Sequence, residues 1–385
     1  MKDVFIISDA IVSPLGFTSE ENYLNLQKGI SGIRKRKPPT PFTDSLYLST
    51  MEEELLEEKF RSISKNKNYT KIEKLLILSI IETLKGTSVD IKSNNFLMIL
   101  STTKGNIDLL EETKKNNFPE NRVYLWSIAL IIQNYFGTAH TPLIISNACI
   151  SGVNALICAG RLIRDGLYQH ILVAGADIVS PFVVSGFQSF KAISERPCKP
   201  FDKNRNGINL GEGCGAILLS ADKTVSQKNE NIKMLGGAIS NDANHISGPS
   251  RTGDGLYLAI SNALKVSNIT SDDIHYLNAH GTATLYNDEM ESKAFHLAGL
   301  SNTPMNGIKG FYGHTLGAAG LIETIIAMKC MLSNEILPTL GFEEPGTPEK
   351  VNVSNHFLKT DIHYLLKTAS GFGGGNAALI MEKNV

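Results

Sequence analysis

Short apolar runs and longer amphipathic stretches alternate along most of this chain. The short runs, such as VFIIS near the N-terminus and FLMILST from residue 96, are typical of buried strands. The longer stretches, such as residues 70–85, have apolar side chains at helical spacing and indicate helices. This alternation predicts an α/β fold built on a mainly parallel, covered sheet.

The pattern is interrupted once by a polar stretch, DKTVSQKNENIK, at residues 222–233. Beyond it the alternation of strands and helices starts again. We therefore divide the chain into residues 1–225 and residues 226–385. The similar alternation in the two parts suggests an ancient duplication.

Several individual elements are predicted from the pattern. The last segment, TDIHYLLKTASGFGGGNAALIMEK, is expected to form two strands joined by a glycine-rich turn. Helices are expected at residues 19–28, 70–85, 254–266, 288–298 and 317–332, and in the periodic run before Gly137.

A cysteine lies where one strand pattern changes into a helix pattern. Leu143–Ser146 is short and apolar, and the apolar residues that follow recur at helical spacing up to Gly166, a typical C-terminal glycine. Cys149 is thus expected on the first turn of a helix, where the helix dipole favours the thiolate. The alternative, a small cysteine packed in the core, stays open from this stretch alone.

Composition excludes several classes of protein. The formal net charge of −1 over 385 residues gives no global reason to bind nucleic acid or an anionic membrane. Five cysteines without a CxxC pair argue against a disulfide framework and a structural zinc site, and fit a reducing cytoplasm. The N-terminal apolar run is interrupted by Asp3 and Asp9, and no run approaches 18 apolar residues, so we expect no membrane span.

Four further segments carry glycine or histidine at predicted element ends. Two contain a histidine between small residues: NAHGTAT at 278–284 with His280, and KGFYGHTLGAAG at 309–320 with His314. The others are KPFDKNRNGINLGEGCG at 199–215 and GFGGGN at 371–376. The last lacks the G-x-G-x-x-G spacing and a following helix, which argues against a dinucleotide site.

In their order and spacing, NACISG, AGAD, KPFDKNRNG, AHGTAT, KGFYGHTLGAAG and GFGGGN resemble the β-ketoacyl-acyl carrier protein synthases. The similarity spans nearly the whole chain and is greatest to the elongating type with a Cys-His-His triad. It implies a thiolase fold with duplicated βαβαβαββ halves in five layers, αβαβα. Residues 1–225 would then carry the nucleophile and residues 226–385 the two catalytic histidines.

The resemblance also implies a role for each matching residue. Cys149 matches the nucleophile, and His280 and His314 match the catalytic histidines. The remaining matches are Lys309 and Glu323 as the polar pair around His314, Thr282 and Thr284 as pantetheine-binding threonines, Asp288 as the acid closing that motif, and Phe372 as the gating phenylalanine.

The implied reaction joins an acyl group on Cys149 to malonyl-acyl carrier protein, with the N–H groups of Cys149 and Phe372 as the oxyanion hole. No metal and no cofactor are expected, and the partners are an acyl carrier protein and a second, identical subunit. Two basic segments could attract the acidic carrier: Arg34–Lys37, and the favoured set of Arg61, Lys65, Lys67 and Lys71.

Three alternatives remain. A thiolase would need a second cysteine in the glycine-rich turn, where this chain has Phe372. The chain could instead be a subunit that works only in a heterodimer with a chain-length-factor-like partner, although such factors lack the nucleophilic cysteine. A cysteine hydrolase has no support in the motifs, and the pathway, fatty acid or polyene and polyketide synthesis, stays open.

Overall fold

The computed structural model describes residues 2–38, 42, 44–65, 68–114, 117–226 and 232–383. Its strands are β1 Phe5–Val12, β2 Arg34–Arg36, β3 Leu46–Ser49, β4 Phe96–Ser101, β5 Leu143–Ile145, β6 His170–Asp177, β7 Leu210–Gly211, β8 Gly213–Ser220, β9 Ile232–Asn241, β10 Tyr276–Asn278, β11 Pro304–Asn306, β12 Glu335–Ile336, β13 Asn352–Val353, β14 Leu358–Lys359, β15 Tyr364–Ser370 and β16 Gly375–Lys383. Its α-helices are α1 Ser19–Gln27, α2 Glu53–Arg61, α3 Lys71–Leu84, α4 Leu125–Phe136, α5 Ser151–Arg164, α6 Pro181–Ser189, α7 Asp254–Ser267, α8 Leu285–Leu297, α9 Lys309–Tyr312 and α10 Ala319–Ser333.

The ends of several helices follow from local chemistry. The Thr70 hydroxyl accepts a hydrogen bond from the Glu73 N–H, and the Glu73 carboxylate accepts one from the Thr70 N–H, so a capping box starts α3. Gly137 and Gly166 adopt positive φ values of 68° and 74° just beyond α4 and α5. The predicted helix before Gly137 and the predicted C-terminal glycine at 166 are therefore confirmed.

The main sheet has eleven strands in the order β13-β11-β10-β15-β16-β9-β1-β8-β6-β4-β5. Each half contributes a corresponding series of five strands to this sheet, named here in chain order: β1, β4, β5, β6 and β8, and β9, β10, β11, β15 and β16. In both series the second and third strands are parallel neighbours, and the fifth strand is antiparallel to the first and to the fourth. The halves join where β1 and β9 pair, with Phe5 opposite Lys233. This repeated topology supports the inferred duplication, while the boundary at residues 225 and 226 stays a prediction.

The expectation of a mainly parallel sheet is wrong. Parallel pairs lie only at the outer ends of the sheet, around β4 and β10. Between them β8, β1, β9 and β16 run antiparallel to their neighbours. The periodicity of a buried run gives no information on strand direction, because parallel and antiparallel core strands are equally apolar.

Helices pack on both faces of each half of the sheet, which gives the five layers of the thiolase fold. The middle layer is formed by α5 and α10, each of which contacts strands of both halves. On the outer faces, α3 covers β1, β6 and β8, and α7 covers β9 and β16. The start of each middle helix therefore lies between the halves of the molecule.

One helical segment, Leu316–Ser333, is long and apolar enough to cross a membrane by length and composition. The expectation of no membrane span rests on unbroken apolar runs, and this segment is interrupted by Glu323 and Lys329. The segment contains α10, and 89% of it is buried within the protein. Its apolar surface therefore packs in the core between the two halves.

Candidate active site

Cys149 lies in the short connection between β5 and α5. The preceding residue, Ala148, has a φ of 43°, so the backbone turns sharply just before the cysteine. The first helical residue is Ser151, which corrects the expectation that Cys149 lies on the first turn. The Cys149 side chain is buried, with 6% of the residue exposed.

The glycine-rich turn between β15 and β16 packs directly against this cysteine. The Phe372 N–H faces the Cys149 thiol closely enough to lower its pKa. A Cβ atom added at Gly371 would lie 3.0 Å from the backbone N of Cys149. The turn therefore needs a glycine at this position to bring the Phe372 N–H beside the sulfur.

Burial raises the pKa of the Cys149 thiol to about 11. The ammonium groups of Lys104 and Lys309 and the Phe372 N–H act in the opposite direction, but they do not outweigh the loss of solvent. The helix start was expected to favour the thiolate, but burial acts in the opposite direction and favours the neutral thiol. Position at a helix start favours the anion, but it says nothing about the depth of burial.

Two histidines converge on the cysteine from the other half of the chain. His280 follows β10, and His314 lies between α9 and α10. The Cys149 sulfur and one ring nitrogen of each histidine all lie within 4.8 Å of one another. The two imidazole rings are 5.2 Å apart, centroid to centroid, at an interplanar angle of 81°. The structure thus brings together the three predicted triad members.

Hydrogen bonds define the same tautomer for both rings. The Leu316 N–H donates to His314 Nδ1 over 3.3 Å. The Lys309 ammonium lies 3.1 Å from His280 Nδ1 and donates to it. Since Nδ1 accepts in each ring, the proton of each neutral imidazole is on Nε2. The Nε2 atom of His314 is buried and has no hydrogen-bond partner among the described residues, so its N–H remains for a ligand.

Both imidazoles are held neutral. Burial and then the positive charge of Lys309 lower the pKa values of His280 and His314 well below their usual range. Neutral imidazoles with a proton on Nε2 can donate hydrogen bonds to a carbonyl oxygen without first losing a proton. The pair therefore forms a site suited to stabilising negative charge that develops on an oxygen atom.

Lys309 and Glu323 lie in this site as an ion pair, but Lys309 contacts His280 and not His314. The Lys309 ammonium donates to His280 Nδ1, to the His280 carbonyl at 2.5 Å and to Glu323 Oε1 at 2.5 Å. Lys309 precedes His314 by five residues, but the turn of α9 directs its side chain to the end of β10. The expectation that this pair orients His314 is therefore wrong.

The loop after His280 is held by buried carboxylates. Asp288 accepts hydrogen bonds from the Thr282 and Phe201 N–H groups, at 3.0 Å and 2.7 Å. The hydroxyl groups of Thr282 and Thr284 are 2.8 Å apart, and both residues line the cavity described next. Asp288 therefore shapes the loop that presents the two threonines.

A cavity of about 430 Å³ connects the triad with the surface. Cys149, His280 and His314 line it together with Thr282, Thr284 and Phe372. The Phe372 ring packs 5.5 Å from Phe187 and 5.1 Å from Phe190, centroid to centroid. These aromatic rings form one wall beside the cysteine.

Comparison with known proteins agrees with this geometry. Residues 1–224 match the family description "Beta-ketoacyl synthase, N-terminal domain", and residues 233–343 match "Beta-ketoacyl synthase, C-terminal domain". The chain belongs to the β-ketoacyl synthase family.

Curated members of this family match the chain from end to end. The chain is 27% identical to the 3-oxoacyl-[acyl-carrier-protein] synthase 2 of Vibrio harveyi, over 99% of this chain and 98% of that protein. It is 26% identical to the enzyme of the same name from Staphylococcus aureus strain COL, with the same coverage. Among solved structures, the ketosynthase ApeO in complex with its chain length factor ApeC from Xenorhabdus doucetiae matches with a TM-score of 0.87. That match has 24% identity and covers 100% of this chain and 98% of that one, and it shows the shared fold.

In this β-ketoacyl synthase, some of the basic residues expected to attract the carrier protein are already engaged in ion pairs. Lys71 is ion-paired at 2.7 Å with the buried Glu212, so it is unsuited to a carrier patch. Lys67 lies outside the described residues, while Arg61 and Lys65 are exposed. In the other candidate segment, Arg36 pairs with Glu52.

Two buried charged residues near the triad were not singled out from the sequence. Glu291 accepts hydrogen bonds from the N–H groups of His280 and Gly281, at 2.8 Å and 2.7 Å. Lys367 on β15 ion-pairs with Glu323 over 2.6 Å. A lysine within the apolar run YLLKTAS was a usable signal, because an ammonium in a buried strand requires a partner. Glu291 gave no comparable signal, since a glutamate on a helix is usually exposed.

Proposed function

We propose that this protein catalyses decarboxylative condensation of an acyl thioester with malonyl-acyl carrier protein, giving β-ketoacyl-acyl carrier protein. The observation that carries the proposal is the convergence of one thiol and two neutral, Nε2-protonated histidines in a single cavity. This set matches the two requirements of the reaction. One group must hold an acyl chain covalently, and others must stabilise an enolate.

In the first half-reaction, the Cys149 sulfur attacks the acyl thioester on the carrier's phosphopantetheine. The carbonyl oxygen becomes an oxyanion, which the N–H groups of Cys149 and Phe372 stabilise. The carbon–sulfur bond to pantetheine breaks, and the thiol proton ends on the departing sulfur. The products are an acyl-Cys149 thioester and a free carrier thiol.

In the second half-reaction, the thioester carbonyl of malonyl-carrier protein accepts hydrogen bonds from Nε2 of His280 and His314. The bond between the methylene carbon and the carboxylate breaks, and carbon dioxide leaves. The electron pair of that bond stays with the thioester and forms the enolate. The enolate carbon attacks the acyl-Cys149 carbonyl and expels the cysteine sulfur, which takes a proton from solvent. The electron pair comes from the substrate, so the proposed reaction needs no metal and no cofactor.

A thiolase is the less supported alternative. It would need a second reactive cysteine in the glycine-rich turn, and this turn carries Phe372 beside Cys149. Cys330 lies within α10 and is fully buried. It does not line the cavity that contains Cys149, His280 and His314.

Dimerisation through the outer strand β5 is part of the proposal. In the described residues β5 pairs on one side only, with β4, and its Leu143 is 45% exposed. The adjacent start of α4 exposes Tyr124 and Trp126, whose rings stack at 6.2 Å. An unpaired strand edge beside exposed aromatic rings fits a second subunit.

The second subunit is identical in the main proposal and a chain-length-factor-like homologue in the alternative. One observation favours keeping the alternative: ApeO, which shares this fold, was solved in complex with a chain length factor. In either arrangement the present chain supplies the nucleophile. We place the enzyme in the cytoplasm, since its five cysteines are free thiols.

The test uses the purified full-length chain alone, with acyl-carrier protein and malonyl-carrier protein as substrates. We expect a carrier-bound β-ketoacyl product, two carbons longer than the acyl donor, detected by mass spectrometry. Activity that appears only after co-expression with a homologous subunit would support the heterodimer. Release of free acid without condensation in both preparations would contradict the proposal and favour a hydrolase.

A further inference from the structure

A second buried lysine lies behind the active site and has no part in the steps above. Lys367 is on β15 and is completely buried. Its ammonium donates to Glu323 Oε2 at 2.6 Å and to the carbonyl of Ala279, the residue before His280, at 3.3 Å. An unpaired ammonium would be very unfavourable at this depth, so these contacts are what allow the charge to remain there.

We propose that Lys367 is a positioning residue for the condensation, acting through Glu323 and Lys309 on His280. The inference rests on the proposed function, because its consequence is the orientation and charge of a hydrogen-bond donor to malonyl thioester.

The contacts form one continuous chain across the site. Glu323 bridges the two lysines, with Oε1 bonded to Lys309 and Oε2 bonded to Lys367. All three ammonium protons of Lys309 have acceptors: Glu323 Oε1, the His280 carbonyl and His280 Nδ1. Lys367 therefore stabilises both the carboxylate that holds Lys309 and the backbone that carries His280.

The same cluster sets the charge around His280. Two ammonium groups share the Glu323 carboxylate, which leaves a net positive charge beside the ring. The other titratable groups that face His280 among the described residues are Glu291 on α8, Cys149 in the connection before α5, and His314 in the loop before α10. Burial, Lys309, His314 and Lys367 all lower the pKa of His280. Removing the charge of Lys367 should raise that pKa and weaken the stabilisation of an enolate.

The test compares Lys367→Met with Lys367→Arg, which keeps the charge. The assay is decarboxylation of malonyl-carrier protein across pH. For Lys367→Met we expect kcat to fall about tenfold at neutral pH with little change in KM, because the loss is in transition-state stabilisation. The acid limb of its pH profile should move up by about one pH unit, since His280 gains a proton more easily. Lys367→Arg should keep the acid limb of the wild type.

Lys329→Met is the matched control, because it also removes a buried ammonium from the core, one that pairs with Asp9 at 3.8 Å. It should leave the acid limb unchanged even if it lowers stability. If Lys367→Met does not fold, Lys367→Gln replaces it, since it also removes the charge, and the same shift is expected.

Histidine NMR of the unliganded proteins gives a readout independent of activity, and the His280 pKa should rise in the variant. An unchanged acid limb and an unchanged His280 pKa would overturn the role of Lys367, whereas an inactive wild type with a shifted His280 pKa would contradict the proposed function alone.

Discussion

The two halves of this β-ketoacyl synthase use the same scaffold position for opposite chemical purposes. In the N-terminal half, the chain passes from β5 through Cys149 into α5, the first middle-layer helix. In the C-terminal half, the equivalent passage from β11 to α10 contains the short helix α9 and then His314. In the proposed reaction, the first junction supplies the nucleophile and the second supplies a hydrogen-bond donor. An ancestral duplication, which the repeated topology supports, would account for two equivalent junctions that differ in their side chains.

The halves also differ in the charges that they bury beside the site. The C-terminal half holds Lys309, Glu323 and Lys367 in one cluster. The N-terminal half contributes Asp177, which accepts hydrogen bonds from the N–H groups of Thr103 and Gly317, at 2.9 Å and 2.7 Å. Asp177 therefore joins the halves, while burial and then the positive charge of Lys309 lower the pKa values of His280 and His314. In the proposed mechanism, acyl transfer would then depend mainly on local backbone geometry, and decarboxylation on a positive environment.

The largest expected effect comes from removing the nucleophile of the N-terminal half. Cys149→Ala should abolish condensation, since no acyl-enzyme can form. Decarboxylation of malonyl-carrier protein should persist, because both histidines remain in the other half. Product assays for carbon dioxide and β-ketoacyl thioester measure the two steps separately. Condensation at the wild-type rate by this variant would refute the assignment of Cys149.

The reverse experiment removes a donor from the C-terminal half. In a Cys149→Gln background, whose amide resembles an acyl-cysteine, His314→Ala should lower the rate of decarboxylation about a hundredfold. The reason is the loss of one of two hydrogen bonds to the developing enolate. Equal carbon dioxide release by the single and double variants would show that His314 has another role.

A smaller effect is expected where the two halves touch at the nucleophile. In Gly371→Ala the new methyl group would lie 3.0 Å from the Cys149 backbone N, so the Phe372 N–H must shift away from the sulfur. We expect acyl transfer to slow about tenfold, with decarboxylation less affected. Gly186→Ala on α6 is the control, because a Cβ atom there has nothing within 4 Å. Equal losses in both half-reactions would indicate a general distortion instead.

The smallest effect concerns the surface of the N-terminal half. Lys65 is exposed, and Lys65→Glu should raise the KM for carrier-bound substrate a few-fold, about 2- to 5-fold, at low salt and less at high salt. Turnover of a short pantetheine thioester should not change. Lys223→Glu, another exposed lysine, provides the control. If both substrates or both variants are affected alike, Lys65 is not part of a docking surface.

Much of this site could be predicted because its residues lie in local motifs at element ends. Cys149 and His280 each come shortly after a strand, and His314 comes shortly before α10. Such element ends are where α/β folds commonly place their binding sites. The start of α3 at Thr70 can also be predicted from the sequence, because a capping box involves residues only three positions apart.

The remaining features depend on contacts between residues distant in sequence. Lys309 contacts His280 rather than the nearby His314, and Lys367 reaches Glu323 across 44 positions. The protonation of Cys149 depends on burial by both halves, which no local motif records. Strand direction in the centre of the sheet was missed for the same reason.

The most direct test of the account is to locate the acyl group on the enzyme. The purified chain would be incubated with acyl-carrier protein alone, digested, and its peptides analysed by mass spectrometry. The account predicts one acylated residue, Cys149, and loss of the modification when malonyl-carrier protein is added, with β-ketoacyl-carrier protein formed in its place. Acylation of another cysteine, or an acyl-Cys149 that malonyl-carrier protein does not discharge, would contradict it.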